Sequence, residues 1–183
     1  QGLDKNTIVI FTSDNGPFAA NVKPLREEKG HVYEGGIRVP MIVRWPGHVK
    51  PGTRTATPVI TMDIHATILE ATHLKPDPSN TPDGISLLPL LRNESALTRE
   101  AIYFHYPNYA FHKANRFASA IRSGDHKLLW FYDDDSVELY DLKNDIGESR
   151  NLANDMPERT LQLHSKLKAW LLKTNASRPQ KGG

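Results

Sequence analysis

The chain has no cysteine among its 183 residues, which excludes disulfides and leaves the redox compartment undecided. It also lacks any apolar run near the ~20 residues that a helix needs to cross a bilayer. An excess of one charge sign is missing too. Basic residues number 23 and acidic residues 21, for a net charge of +2. No basic block stands out in either half, which argues against a nucleic-acid partner. No signal-peptide pattern is present, and because the chain opens on Gln1 that says nothing about export. Internal repeats are absent. What is there, 38% hydrophobic and 24% charged residues, is the composition of a soluble globular protein. The length gives room for one domain, or for a partial domain plus a small one.

The most informative stretch is the opening. Thr7-Ile8-Val9-Ile10-Phe11-Thr12-Ser13 is apolar and β-branched, and it reads as a strand buried on both faces within a parallel sheet. Asp14-Asn15-Gly16 ends it. Ligands in open α/β sheets collect at the carboxyl ends of strands, so Asp14 and Asn15 stand where a site would be built. Both are hard oxygen donors suited to calcium or magnesium. The same three residues also make an ordinary turn.

The pattern divides near residue 95. Before it, Met41 to Trp45 is a second short strand closed by Pro46-Gly47. An amphipathic helix begins at Thr61, a possible N-cap, with Ile64, Ile68 and Ala71 as its buried stripe. Asp63 reads as a first-turn carboxylate favoured by the helix dipole. Three prolines between His73 and Gly84 predict an exposed loop. After residue 100 the pattern becomes antiparallel. Strands at 118–122 and 127–132 flank a Ser-Gly-Asp-His turn, and a third runs over 137–142. A final helix starts near Pro157, with Leu163, Leu167, Trp170 and Leu171 on one face. The tail from Ser177 to Gly183 reads as disordered. The division is therefore 1–95, 96–176 and a tail over 177–183.

Lys29-Gly30-His31-Val32-Tyr33-Glu34-Gly35-Gly36-Ile37-Arg38-Val39-Pro40 resembles the lysine-glycine segment of the sulfatase family, within the alkaline phosphatase superfamily. It follows Asp14-Asn15-Gly16 at about the family's spacing. Further matches keep family order: Val59 to Leu69, then Asp83 to Leu91, then Ile121 to Leu128, then Glu138 to Leu142 and Asn151-Leu152-Ala153. The resemblance runs from about Asn6 to Leu172 and covers the carboxyl-terminal portion of such an enzyme. It implies an α/β fold: the back part of a largely parallel sheet with a flanking helix, then a small antiparallel α+β subdomain.

The resemblance also implies a chemistry. Sulfatases use a formylglycine made from the first residue of Cys/Ser-x-Pro-x-Arg, a motif absent here, as are the family's paired amino-terminal aspartates. The chain alone is therefore expected to lack the nucleophile and to be inactive. Asp14 and Asn15 would be two ligands of a divalent cation, usually Ca2+, with Mg2+ possible. Asp14 would also help to deprotonate the nucleophile, and Lys29 would bind the sulfate and assist the leaving oxygen. Glu34, Gly35, Gly36 and Arg38 are expected to work structurally, Arg38 by pairing with a carboxylate, and Tyr33 belongs to the core. His105, in Tyr103 to Tyr109, resembles a segment that approaches the substrate pocket of polysaccharide-type sulfatases. Its other reading is a satisfied histidine in an aromatic cluster. His112, Asn115 and His31 are weaker candidates.

The expected substrate is a sulfated small molecule or carbohydrate. A phosphodiesterase or phosphonate hydrolase of the same superfamily, and a non-catalytic binding fragment, are the alternatives. The family's usual compartments are the periplasm, the lysosome or the exterior.

Overall fold

A strand is buried only by what lies beside and upon it, and the opening strand shows the consequence. In the computed structural model, which describes residues 2–108 and 115–179, β1 (Val9–Phe11) pairs antiparallel with β2 (Ile42–Arg44), Ile10 standing opposite Val43. Val9 is 48% and Phe11 63% exposed. The expected parallel sheet is not found among the described residues, where this strand lies instead in a short, exposed antiparallel ribbon. The physical reason is that β2 is its only hydrogen-bonded neighbour among the described residues.

The chain forms two compact units, Gln1–Asp14 with Pro40–Arg99, and Asn15–Val39 with Glu100–Gly183. In the first, α1 (Glu34–Ile37) has no part, since it belongs to the second. The first unit holds the β1–β2 ribbon, α2 (Met62–Ala71) and the short α3 (Leu88–Leu91). Thr61 is the residue before α2, but its side chain makes no capping hydrogen bond. The predicted stripe of α2 is also corrected. Its buried residues are Asp63 and Thr67, whereas Ile68 is largely exposed.

Hydrogen bonding explains this inversion. Asp63 accepts the Ile60 and Ile85 amides at 2.9 and 3.0 Å and takes the Arg99 guanidinium on both oxygens. Thr67 donates to the Asp63 carbonyl at 2.6 Å and accepts the Leu87 amide at 2.9 Å. A buried carboxylate is tolerable when every lone pair has such a partner.

The second unit is a meander with α4 on one face. β3 (Ile102–Tyr106), β4 (Ala118–Ser123), β5 (His126–Phe131) and β6 (Val137–Asp141) pair in that order, all antiparallel. Gly124, at φ +61°, supplies the left-handed step of the β4–β5 turn. α4 (Pro157–Lys173) starts on the predicted proline and buries Leu163, Leu167 and Leu171 against Ile121, Leu128 and Leu139. Trp170 stacks on Tyr103 with ring centroids 4.8 Å apart.

On the opposite face, Ala118, Ala120, Leu129, Phe131 and Tyr140 pack against Val32 and Tyr33 of the 15–39 segment. The sheet is therefore covered twice. No helix of the described residues is long and apolar enough to cross a membrane.

Candidate functional site

The segment after Asn15 is shaped by backbone hydrogen bonds rather than by regular structure. The Gly16 amide donates to the Gly36 carbonyl at 2.8 Å, and the Lys29 amide to the Pro17 carbonyl at 3.0 Å. Gly35 donates to the Arg26 carbonyl at 2.8 Å, and Gly36 to Tyr33 at 2.9 Å. Strands of chain this close leave no room for side chains. A Cβ on Gly16 would collide with the Gly35 carbonyl, and one on Gly35 with the carbonyls of Arg26 and Glu27. Backbone packing at this distance is what the Glu34-Gly35-Gly36 sequence provides.

Beneath this turn lies a buried ionic cluster that the sequence reading did not single out. Lys127 and Glu148 are 0% exposed, and Glu34 is 2% exposed. The Lys127 ammonium sits 3.0 Å from Glu34 Oε1 and 2.8 Å from Glu148 Oε1. Glu148 Oε2 accepts the Glu34 amide at 2.6 Å. Arg38 Nε donates to Glu34 Oε2 at 2.6 Å, and Arg122 lies 3.9 Å from the same oxygen. The carboxylate expected to pair with Arg38 is therefore Glu34.

Burial pushes the Glu34 carboxyl up, but the Lys127 and Arg38 charges outweigh it and hold the group below its usual value. Burial dominates at Glu148, which lies above its usual value despite Lys127. Two carboxylates sharing one ammonium are unequal partners.

A second polar group ties the same segment down further along. Tyr33 and Tyr140 both donate to Glu138 Oε2, at 2.6 and 2.8 Å. The Arg26 guanidinium carbon lies over the Tyr33 ring, 4.0 Å from its centroid, and Arg26 donates to the Tyr140 hydroxyl at 2.9 Å. Burial, then the hydrogen bond to Glu138, raises both phenols. Tyr33 is core, as predicted.

The candidate residues are distributed as follows. Asp14 ends the first segment of one unit and Asn15 opens the other. Asp14 is exposed and accepts the Ser13 hydroxyl at 3.3 Å on Oδ1. Lys29 is partly exposed, and its ammonium has no ion pair among the described residues. Asn115 is buried and donates to the Gly30 carbonyl, next to Lys29. His31 is close to Glu27 and to the Glu28 carbonyl.

His105, expected in a loop, lies within β3. Its Nε2 is 2.6 Å from the Ser177 carbonyl and must carry a proton to donate to it. Nδ1 lies 2.6 Å from the Ser119 hydroxyl. Both ring nitrogens are thus occupied by the chain itself. His112 and Tyr109 lie outside the described residues.

Lys127 was legible in principle. It shares the period-two face of Leu129 and Phe131, which is the signal of an inward charge needing a partner.

Asp14 and Asn15 fit a hard divalent cation by donor chemistry, one charged and one neutral oxygen. The described residues hold no group of three or more His, Cys, Asp or Glu that could bind a metal. These two would therefore form part of a coordination sphere, not all of it.

Comparison with known proteins places this architecture. The family described as N-sulphoglucosamine sulphohydrolase, C-terminal, matches residues 27–177. A sulfatase of Formosa agariphila is 40% identical over 96% of this chain and 34% of its own length. Human arylsulfatase A is 34% identical over 91% of this chain and 37% of its own length. The structure of BT4656 in complex with its substrate D-glucosamine-2-N,6-O-disulfate superposes with a TM-score of 0.78 at 28% identity. That match covers 98% of this chain and 37% of the other. The chain thus spans about a third of the length of the relatives it matches. With a mixed α/β fold, two antiparallel sheets and a family match over most of its length, the chain belongs to the sulfatase family.

Proposed function

We propose that this chain is the carboxyl-terminal part of a sulfuric ester hydrolase acting on a sulfated carbohydrate. The observation that carries the reading is the turn at Glu34–Gly36. It receives Gly16, the neighbour of Asn15, and through Pro17 it holds Lys29, within a chain of the sulfatase family. BT4656 was crystallised with a sulfated glucosamine as its substrate, which supports a sugar rather than a simple aryl ester.

In this proposal Asp14 and Asn15 hold a divalent cation, Ca2+ or Mg2+, whose charge would stabilise sulfate oxygens. Lys29 brings a mobile ammonium to a sulfate oxygen and assists the departing alcohol oxygen. Asp14 accepts a proton from the nucleophile, which the chain itself does not supply. Formylglycine is the proposed nucleophile, carried by a part of the enzyme outside these residues together with the parallel sheet of the fold. His105 contacts the sugar only when Ser177 releases its Nε2. The proposed division is 1–95 for the end of the catalytic α/β domain, 96–176 for the antiparallel subdomain and 177–183 for a tail.

The test is an assay of the longer enzyme containing these residues, on an aryl sulfate, a 6-O-sulfated glucosamine and a bis-aryl phosphate. Sulfate release that needs a divalent cation and falls about 10²-fold or more in Lys29→Ala is expected, the loss typical of one transition-state donor. Hydrolysis of the phosphate diester in preference to both sulfates would overturn the reading. The 183-residue chain alone is expected to release no sulfate.

A further inference from the structure

We propose that Lys127 is a positioning residue for Asn15 and Lys29. It acts by pinning Glu34, and with it the turn from which both are held. The roles of Asn15 and Lys29 rest on the function proposed above; the positioning itself does not.

The path is short and continuous. Lys127, in β5, is buried by the sheet and holds Glu34 Oε1. Glu34 opens α1, and its own amide is fixed by Glu148 Oε2. Two residues on, the Gly36 carbonyl receives the Gly16 amide, which fixes the backbone beside Asn15. The Pro17 carbonyl, next to Gly16, receives the Lys29 amide. One ammonium therefore anchors the turn through which the two segments are set against each other.

Stability is a poor explanation for this arrangement. Burying an ammonium with two carboxylates carries a large desolvation cost, and apolar side chains of similar volume often serve folding as well or better. The leucine-lined opposite face of the same sheet does so. What an ionic cluster adds is direction. Lys127 meets two specified oxygens on two segments, 34 and 148, and Arg38 and Arg122 approach the remaining oxygen of Glu34. An apolar contact could slide by a fraction of a turn, whereas this one cannot without losing a partner.

The test is amide hydrogen exchange on the longer enzyme that contains these residues. Lys127→Met leaves Glu148 buried without its partner and can unfold the unit. The deciding variant is therefore Lys127→Met with Glu148→Gln, which restores charge balance and keeps an acceptor for the Glu34 amide. In that variant the Gly16, Lys29, Gly35 and Gly36 amides are expected to exchange at least about tenfold faster, while the β4–β5 ladder amides keep their wild-type rates. Equal acceleration in turn and ladder, no acceleration in either, or an unfolded variant would assign the cluster to global stability and overturn the proposal.

Sodium sulfate, compared with chloride at equal ionic strength, supplies the second readout. Sulfate is expected to shift the Lys29 amide resonance in wild type and to shift it less in the double variant. If wild type gives no sulfate-specific shift, the anion role of Lys29 fails while the exchange result still decides the positioning role.

Discussion

The two faces of the β3–β6 sheet are covered by different chemistry. On one, α4 presents Leu163, Leu167 and Leu171 to Ile121, Leu128 and Leu139, with no charge between them. On the other, the 15–39 segment meets the sheet through Val32 and Tyr33 but also through Glu34, held on buried Lys127. The first contact is non-directional and scales with area. The second fixes particular atoms of a largely irregular segment whose regular structure, among the described residues, is the four-residue α1. The face that carries an irregular turn is the one that carries ions. A regular helix needs only a stripe, because its own hydrogen bonds already determine its shape.

The largest expected effect lies on the helix face. Leu167→Ala should destabilise the second unit by about 2–5 kcal/mol through lost burial and a residual cavity, read from urea midpoints. On the segment face, Tyr33→Phe removes only the 2.6 Å hydrogen bond to Glu138. It should cost about 1.5–3 kcal/mol, the range for a bond to a charged group. A Tyr33→Phe cost equal to that of Leu167→Ala would erase the distinction between the faces.

Acidity sharpens the comparison, because the buried carboxylates Glu34 and Glu148 belong to the segment face. Glu34 sits below its ordinary 4.5 when folded. It therefore contributes stability that is complete above 4.5 and is lost as pH falls through its lower folded value. Glu148 sits above 4.5, so its contribution is complete below 4.5 and is lost as pH rises through the folded value. Each slope is bounded by about 1.4 kcal/mol per pH unit for one proton. Urea midpoints of Glu34→Gln and Glu148→Gln between about pH 3 and 7 should diverge from wild type with opposite signs of slope. Parallel slopes would show that the two carboxylates titrate as equals.

Where one physical signal dominates, the sequence is legible. The α4 stripe and the β4–β5 hairpin follow from period and turn chemistry, and both are present. The α2 stripe is misread because its buried residues are polar. Asp63 and Thr67 earn burial only through Arg99, Ile60, Ile85 and Leu87, partners that no local pattern reveals. The exposure of β1 has another reason. A continuous apolar run reports what a strand can bury against, and among the described residues β2 alone lies beside it. For the proposed site, the motif residues Asp14, Asn15 and Lys29 are visible in sequence, whereas Lys127 and Glu148, which hold the Glu34 turn, are distant from it in the chain.

The smallest expected effect on stability is at Lys29, and it separates function from packing. Its backbone is held by Pro17, and Asn115 holds the Gly30 carbonyl beside it. Its ammonium takes no ion pair among the described residues. Removing the side chain therefore deletes no directional contact, and Lys29→Ala should change stability by no more than about 0.5 kcal/mol. Lys127 is the opposite case, a lysine whose charge is wholly engaged. A residue that costs little to remove but sits on a tightly specified backbone is being presented rather than used for support. If Lys29→Ala proved as destabilising as Tyr33→Phe, its side chain would belong to the packing of the segment, and its proposed anion role would lose its physical basis.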